Sequence, residues 1–463
     1  MPFSRDHPLL IPEIAGQLSR FVSLNDALAC IRVCKEWNVA FISVIWHTVD
    51  FETQKRFNQL SSTVIQKYGH HIHTVRNINT TSQLEALHHP GICKMRNLTL
   101  SIQGNSRFEA YSLDILRQNV ASLLYLDLSS EDISTEDHSQ RGSTCIFPVD
   151  AFYPCVGTST RLKLSHLILQ NFALTRDMFS SLLRLCPALE TLNIQETSIY
   201  SANCITPFQH TGLIRLDATL SQVFLPDPEA PNAPSLLAHF PQLRALRMAR
   251  AVCPVPIEKI KNEIARYGPR LRSVGTSTPA TFTAILLAQT FQSLSEIIVR
   301  DDGLSAEVIN AILAHQETLN NVSTYVPFRG YCNQSEVPEL EKDTQLQGWA
   351  IQLLPRLCSQ LTTINFPTLE MDMDDVEKAS WSCTKLKVLY IRIKGLDTKT
   401  KIDRTLDMLV SARSMKKELA GDFSSRKNTR STSTSLIEDR VVQHLLRFRR
   451  LQKVWLGHKL KVL

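Results

Sequence analysis

A short pattern of apolar positions recurs along most of the chain. Each copy has an apolar residue, two variable residues, a second apolar residue, one variable residue and a third apolar residue, as in Leu123-Leu126-Leu128 and Leu189-Leu192-Ile194. Eight of the eleven gaps between central residues measure 23 to 30 residues. The alternation within each copy predicts a short strand with one buried face. The central residues stand at positions 98, 126, 167, 192, 216, 246, 274, 297, 322, 364, 389 and 454.

Several copies follow a stretch with helical spacing of apolar residues. Residues 177–185 have this spacing, and Cys186-Pro187 ends the predicted helix before the next strand. One helix and one strand cannot bury their apolar faces alone, whereas stacked repeats can. The sequence therefore predicts an α/β array of repeats. Further predicted helices cover residues 257–267, 306–315, 348–357 and 440–448.

The wider gaps between copies predict insertions. The stretches near 129–154, 226–234 and 328–347 are polar or proline-containing. The stretch near 421–435 is rich in Ser, Thr, Lys and Arg and lacks large aliphatic residues, so we expect a disordered loop there. On this basis the array spans residues 91–463, and residues 51–90 form the linker from the N-terminal part and the entry to the array.

The first fifty residues do not follow the repeat. Pro8 to Ile14 starts a predicted helix that continues to Phe21, with proline in its first turn. Ser23-Leu24-Asn25-Asp26 offers a cap for a second helix over 27–31, and residues 33–42 form a predicted third helix. The same apolar residues would suit the core of any small helical bundle, but a module of this size buries little by itself.

Two sets of residues resemble a known family. Ile11-Pro12-Glu13-Ile14, Asp26-Ala27-Leu28 and Val33-Cys34-Lys35-Glu36-Trp37 resemble the F-box, without the usual spacer between Pro12 and Glu13. Segments such as Leu185-Cys186-Pro187-Ala188-Leu189 resemble the cysteine-containing repeats of F-box/leucine-rich-repeat proteins. The resemblance implies an α/β fold in which a three-helix F-box, residues 1–50, precedes a curved leucine-rich-repeat solenoid.

The resemblance also implies a function. An F-box docks on the Skp-family adaptor of a cullin ubiquitin ligase, and the repeats hold a protein substrate. The chain would then be a non-catalytic substrate-recognition subunit. The alternatives are a repeat scaffold without a role in ubiquitin transfer, and an enzyme whose site is assembled from distant residues. The expected adaptor contacts are Leu9, Ile11, Pro12, Glu13, Ile14, Val33, Cys34 and Trp37.

The variable residue between the last two apolar positions of each copy predicts a partner surface. Side chains alternate along a strand, so this residue points away from the core. Several of these residues are apolar or aromatic, which is typical of an interaction face. An alternative is that insertions or end effects cover them, above all at Trp455 near the C-terminus. The other candidates are Asp127, Ile168, Asn193, Arg247, Ile298, Asn365 and Tyr390.

Charge and composition narrow the function classes. The net charge is +7, but residues 394–463 carry 17 Lys and Arg against 7 Asp and Glu, so the rest is nearly neutral. The body therefore lacks the basic face of a nucleic-acid-binding domain. No apolar run has the length of a membrane span, and the N-terminus lacks a signal-peptide pattern. We expect a cytoplasmic or nuclear protein whose eleven cysteines are reduced.

Recognisable catalytic chemistry is missing from the sequence. The chain has no phosphate-binding glycine loop, no His-Glu-x-x-His and no Gly-x-Ser-x-Gly. Cys30 and Cys34 lack the second pair that a zinc site needs, and His70-His71-x-His73 predicts a polar turn with His73 on a strand. The acids from 372 to 375 predict the first turn of a helix. We expect no metal, no cofactor and no catalytic residue.

Overall fold

The structure is a computed structural model of a mixed α/β protein with long runs of parallel strands. It divides into two compact units, one comprising Met1–Ala218 and Leu225–Gln242, the other Thr219–Phe224 and Leu243–Leu463. The residues that the structure describes are 14, 17–18, 21–54, 57–103, 106–131, 145–148, 151–152, 161–200, 208–224, 235–249, 255–300, 304–325, 344–378, 380–418, 437–457 and 459–462.

The first unit contains two N-terminal helices and then strands that alternate with helices. Its strands pair in parallel in the order β1-β2-β3-β4-β6-β7-β8, and β5 pairs with β6. In chain order the elements are α1 (Leu24–Cys30), α2 (Lys35–His47), β1 (Thr48–Asp50), α3 (Ser62–Tyr68), β2 (Thr74–Ile78), α4 (Thr81–Leu87), β3 (Asn97–Gln103), α5 (Ser106–Asn119), β4 (Tyr125–Glu131), β5 (Cys145–Ile146), β6 (His166–Thr175), α6 (Arg176–Leu185), β7 (Thr191–Tyr200) and β8 (Arg215–Thr219).

The second unit repeats this alternation and ends in a hairpin. Strands β9 to β15 pair in parallel in sequence order, and β16 pairs with β15 in the antiparallel sense. The elements are α7 (Leu220–Phe224), β9 (Ala245–Ala249), α8 (Ile257–Tyr267), β10 (Ser273–Thr276), α9 (Ala280–Thr290), β11 (Glu296–Arg300), α10 (Ala306–Leu313), β12 (Asn321–Tyr325), α11 (Thr344–Leu357), β13 (Thr363–Met371), α12 (Met373–Lys378), β14 (Val388–Ile393), α13 (Lys399–Glu418), α14 (Ile437–Leu445), β15 (Lys453–Leu456) and β16 (Lys459–Val462).

The recurring apolar pattern forms the core of both units. All twelve predicted central residues lie on strands, and each has no solvent exposure. In the first unit Leu98, Leu126, Leu167, Leu192 and Leu216 occupy matching register positions on successive strands. The second unit has the equivalent row, whose members are Leu246, Val274, Ile297, Val322, Ile364, Leu389 and Val454.

The helices that the sequence predicts inside the array are present, with shifted ends. The helix predicted over 257–267 has these bounds, whereas the one predicted over 440–448 is Ile437–Leu445. Side-chain caps fix several starts: the Thr175 hydroxyl accepts a hydrogen bond from the Met178 amide at 3.3 Å, and Ser305 caps α10 in the same way. Cys186 follows α6 directly, as its Cys-Pro pair predicts.

The ladder of parallel strands begins earlier than the array predicted from residue 91. Strands β1 and β2 lie within residues 48–78, and Val49, Val75 and Leu98 occupy successive register positions. The segment predicted to be the linker and the entry to the array therefore contributes strand β2 to the sheet, and β1 follows α2 directly.

Parts of the predicted insertions lie within the residues that the structure describes. Residues 145–146 form strand β5, and Phe147 and Phe152 are buried beside Phe172. The predicted insertion near 226–234 and the predicted disordered loop near 421–435 lie outside the described residues, as does most of 328–347. Within the described part of the chain, no helix combines the length and apolarity needed to cross a bilayer.

Candidate docking and partner-binding surfaces

The N-terminal helices expose an unusual share of large apolar side chains. The described residues include fourteen exposed large apolar side chains, and seven of them precede residue 40. Phe21 is 86% exposed, Val39 75% and Val33 51%. Because apolar side chains gain free energy when they leave water, such a concentration is typical of a surface that a partner covers. The other four members are Ile14, Leu18, Leu24 and Leu28.

Local contacts hold α1 and α2 in place with little core of their own. The Ser23 hydroxyl accepts a hydrogen bond from the Asp26 amide at 3.3 Å and caps α1. The Asn38 side-chain amide donates to the Ile31 carbonyl at 3.2 Å, which ties α2 to the preceding turn. Only Ala27 and Phe41 are buried in these two helices. Their burial alone contributes little stability, so a covering partner would add to it.

The predicted adaptor-binding residues divide into three groups. Leu9, Ile11, Pro12 and Glu13 lie outside the described residues. Ile14 and Val33 are exposed and therefore accessible to a partner. Cys34 and Trp37 are half-buried.

Cys34 and the two N-terminal tryptophans also have structural contacts. The Cys34 sulfur accepts a hydrogen bond from the Trp37 amide at 3.5 Å and caps α2. The Trp37 ring lies 5.4 Å from that of Phe41, between centroids, within the same helix. Trp46 packs 5.4 Å from Tyr68 at the end of α3. Trp37 therefore packs on a residue of its own helix, whereas Trp46 packs on the next helix along the chain.

An apolar cleft lies where α2 joins β1. It encloses about 500 Å³, and Trp46, Val49 and Phe57 form part of its wall. Trp46 and Phe57 meet edge to face with 6.1 Å between ring centroids, so the cleft has a packed aromatic floor. The remaining lining residues are Ile45, Thr53, Gln54 and Leu60.

The predicted partner-binding residues of the first unit form one row. Asp127, Ile168 and Asn193 occupy matching positions on β4, β6 and β7, and all three are half-buried between buried neighbours. Thr99 and Asp217 extend the row on β3 and β8. These two residues belong to weak copies of the apolar pattern, so the pattern does not predict them as partner-binding residues.

The polar side chains of this row are held by specific contacts. The Arg215 guanidinium donates two hydrogen bonds to the Asp217 carboxylate, at 3.0 and 2.7 Å. Burial raises the pKa of Asp127, and a hydrogen bond with the Tyr125 hydroxyl opposes that rise. The row therefore presents fixed polar groups with Ile168 between them.

The second unit carries the corresponding row from β9 to β15. Ile298 is 6% exposed and is thus less accessible than the sequence predicts. The Arg247 side chain crosses Gly275, where an added Cβ would lie 2.8 Å from Arg247 Cγ. Tyr390 and Trp455 stack with 6.2 Å between ring centroids at the end of the row. The full row is Arg247, Gly275, Ile298, Ser323, Asn365, Tyr390 and Trp455.

A polar network lies beside this row on β10, β11 and β12. Its residues stand two positions before the row residue of the same strand. The Glu296 carboxylate accepts hydrogen bonds from the Ser273 hydroxyl and from the Asn321 side-chain amide, the latter at 2.6 Å. Because both partners stand on neighbouring strands, the carboxylate is fixed in position. A partner protein would meet a surface with defined donors and acceptors and an aromatic end.

The residues that the sequence singled out for other chemistry have structural roles. Asp374 and Asp375 occupy the first turn of α12, as predicted, and the Asp374 amide donates to Asp372 Oδ1 at 2.9 Å. Burial raises the pKa of the Cys186, Cys358 and Cys383 thiols to about 12, which disfavours the nucleophilic thiolate. No group of three potential ligands among the described residues has the arrangement of a metal site.

The predicted turn that contains the clustered histidines is present with one difference. Gly69–His71 forms a 3₁₀ turn, and His73 lies one residue before β2 instead of on the strand. The His73 ring is held at its Nδ1 atom, 3.0 Å from the Lys94 carbonyl oxygen.

No protein-family model matches the chain, and the search of curated proteins returns no significant match.

Proposed function

We propose that the chain is a non-catalytic substrate-recognition subunit of a cullin-type ubiquitin ligase. In this proposal the N-terminal helices act as an F-box that docks on the Skp-family adaptor, and the strand ladder acts as a leucine-rich-repeat solenoid that holds a protein substrate. The observation that carries the proposal is the concentration of exposed apolar side chains on helices that bury only Ala27 and Phe41.

The ladder supports the second half of the proposal. Two rows of outward-facing side chains combine fixed polar groups with apolar and aromatic ones, which is the composition of protein-binding surfaces. The substrate surface comprises Asp127, Ile168 and Asn193 in the first unit, and Arg247, Asn365 and Tyr390 in the second. A cytoplasmic or nuclear location, where such ligases act, belongs to the same proposal.

The docking half is tested by changing exposed side chains that the fold does not need. Leu28→Glu together with Val33→Glu places two charges in the proposed interface, while both positions are exposed in the free protein. We expect affinity for a purified Skp-family adaptor, measured by calorimetry, to fall by about 2 kcal/mol or more, because buried interface anchors contribute at this level. The matched control is Leu124→Glu with Ile214→Glu, two exposed apolar residues outside the helices.

Two outcomes separate the proposal from its alternatives. Equal adaptor affinity in the docking variant and in the control variant would show that these helices do not form the docking surface. Adaptor binding without ubiquitin transfer to a captured protein, in a reconstituted ligase, would favour a repeat scaffold instead.

A further inference from the structure

Six basic side chains gather where the first three strands begin. We call His47, His70, His71, His73, Lys94 and Arg96 the histidine–arginine cluster. His47 ends α2 directly before β1, His73 directly precedes β2, and Arg96 directly precedes β3. The proposed function does not use this cluster.

The backbone fixes the cluster in a row. The His73 amide donates to the His47 carbonyl at 3.0 Å, and the Arg96 amide donates to the His73 carbonyl at 2.7 Å. These bonds place the three residues side by side on neighbouring strands, which lie roughly 4.8 Å apart in such sheets. The His47 and His73 rings are 5.2 Å apart between centroids. The row is therefore built into the start of the ladder.

The cluster lacks a compensating acid among the described residues. No acidic side chain in the described part forms an ion pair with any of its six members. The nearest acid along β1, Asp50, stands three residues after His47, roughly 10 Å along an extended strand. Its carboxylate accepts hydrogen bonds from Asn77 at 2.9 Å and from the Glu52 amide at 3.0 Å.

The positive charge of the cluster affects the pKa values of two of its histidines. Burial lowers the pKa of His47, and the neighbouring His73 and Arg96 lower it further. The pKa of His71 is lowered by burial and then by His70, His73 and Lys94. A negatively charged ligand would relieve this repulsion. Since His47, His70, Lys94 and Arg96 are exposed, such a ligand can reach the cluster.

We propose that the histidine–arginine cluster binds an acidic segment of a partner protein through its Asp and Glu carboxylates. Charge complementarity argues for this occupant. A single-stranded nucleic acid would also require aromatic side chains on which bases stack. The nearby rings are engaged internally instead, because Trp46 packs against both Phe57 and Tyr68.

Carboxylate binding is coupled to pH. Bound carboxylates favour the charged form of the histidines and so raise the lowered pKa values of His47 and His71. Complex formation therefore takes up protons, and affinity rises as the pH falls toward the lowered pKa values of these two histidines. The groups that contribute to this dependence are His47 and His71, and Arg96 and Lys94 are the cationic side chains that act on them.

The test uses the purified full chain and a fluorescent poly-glutamate peptide, with poly-glutamine of equal length as the uncharged control. We expect binding to the glutamate peptide alone, with weaker binding at high salt. Arg96→Gln should weaken it by about threefold, whereas Lys163→Gln, which removes an exposed charge outside the cluster, should not. His47→Gln together with His71→Gln should flatten the pH dependence.

Three results would overturn the inference. These are equal affinities for the glutamate and glutamine peptides, equal effects of Arg96→Gln and Lys163→Gln, and tighter binding of single-stranded DNA than of the glutamate peptide. Thermal melting of each variant shows whether it is folded. Adaptor affinity, measured in parallel, should stay unchanged in all cluster variants, so this inference and the proposed function fail independently.

Discussion

Buried polar side chains in this protein differ in how fully they are satisfied. Asn119 has no solvent exposure, and its amide group donates to the Ile92 and Ile115 carbonyls and accepts from the Met95 amide at 3.1 Å. His444 is 6% exposed, but its Nε2 atom has no hydrogen-bond partner among the described residues. Its ring packs edge to face on Trp381, with 4.8 Å between centroids. Asn119 therefore joins a loop to a helix, whereas His444 contributes packing and remains neutral.

The neutral state of His444 makes the stability of the second unit depend on pH. Burial lowers its pKa from 6.5 to about 4, and the nearby Arg447 adds to this effect. Between these two pH values the unfolded chain binds a proton that the folded chain excludes, so stability falls as the pH decreases through this window. The total loss is about 3 kcal/mol, at roughly 1.4 kcal/mol per pKa unit.

His444→Phe should remove this contribution while keeping the aromatic contact with Trp381. Denaturant unfolding measured across the window should show a smaller loss of stability in the variant than in the parent chain. Parallel curves for the two proteins would mean that folding does not change the pKa of His444.

At the scale of elements, the sequence predicted the ladder well. The third predicted copy, centred on Leu167, and the last, centred on Val454, both became buried strand centres. The reason is physical: a parallel strand covered on one face needs an apolar residue at every second position, and the pattern records this directly. The ends of the helices were less predictable, because they depend on single polar capping residues such as Thr175. The spacing of apolar residues gives no information about these caps.

The repeat pattern did not include the first two strands, because their apolar residues are not leucines. Trp46, Val49 and Phe51 follow the same spacing as the later copies, with aromatic residues at both ends. In β2 the spacing is broken at Asn77, which has a positive φ of 57°. The register consequently shifts, and Ile78 pairs with Leu100. Asn adopts a positive φ more readily than most residues, so the sequence favours a bulge at this position. A search for repeated leucines does not detect it.

Val75 provides a test of whether β2 belongs to the buried core of the strand ladder. Val75→Ala removes two buried methyl groups from a site without solvent exposure and should lower the free energy of unfolding by about 2 kcal/mol. The matched control is Val39→Ala, at a position that is 75% exposed, for which we expect a change within about 0.5 kcal/mol. Similar losses from the two substitutions, in chemical denaturation, would contradict the assignment of β2 to the core.

At the scale of the whole molecule, the surfaces divide between the two units. The exposed apolar helices and the histidine–arginine cluster belong to the first unit, and the stacked Tyr390 and Trp455 belong to the second. The sequence predicted the row of outward residues but not the cluster as a site. His47, His73 and Arg96 are more than twenty residues apart in sequence, and only strand pairing brings them together.

The direct passage from α2 into β1 changes how the N-terminal part should be removed in experiments. Deleting residues 1–50 also deletes β1, which pairs with β2 and buries Val49 against the ladder. Deleting residues 1–34 removes α1 but keeps α2, with the buried Phe41, and β1. We therefore expect the shorter deletion to leave the stability of the ladder nearly unchanged. The longer deletion should lower it by about 3 kcal/mol or more, since two buried apolar side chains are lost.

The measurement is denaturant unfolding of the two truncated chains beside the full chain. Because residues 1–34 include six of the seven exposed apolar side chains that precede residue 40, the shorter deletion should also abolish adaptor binding while the ladder stays folded. That pair of results would separate docking from folding, which a deletion of residues 1–50 cannot do. Equal stability of the two truncated chains would show that β1 does not contribute to the free energy of unfolding, and that β2 is the first strand that stabilises the sheet.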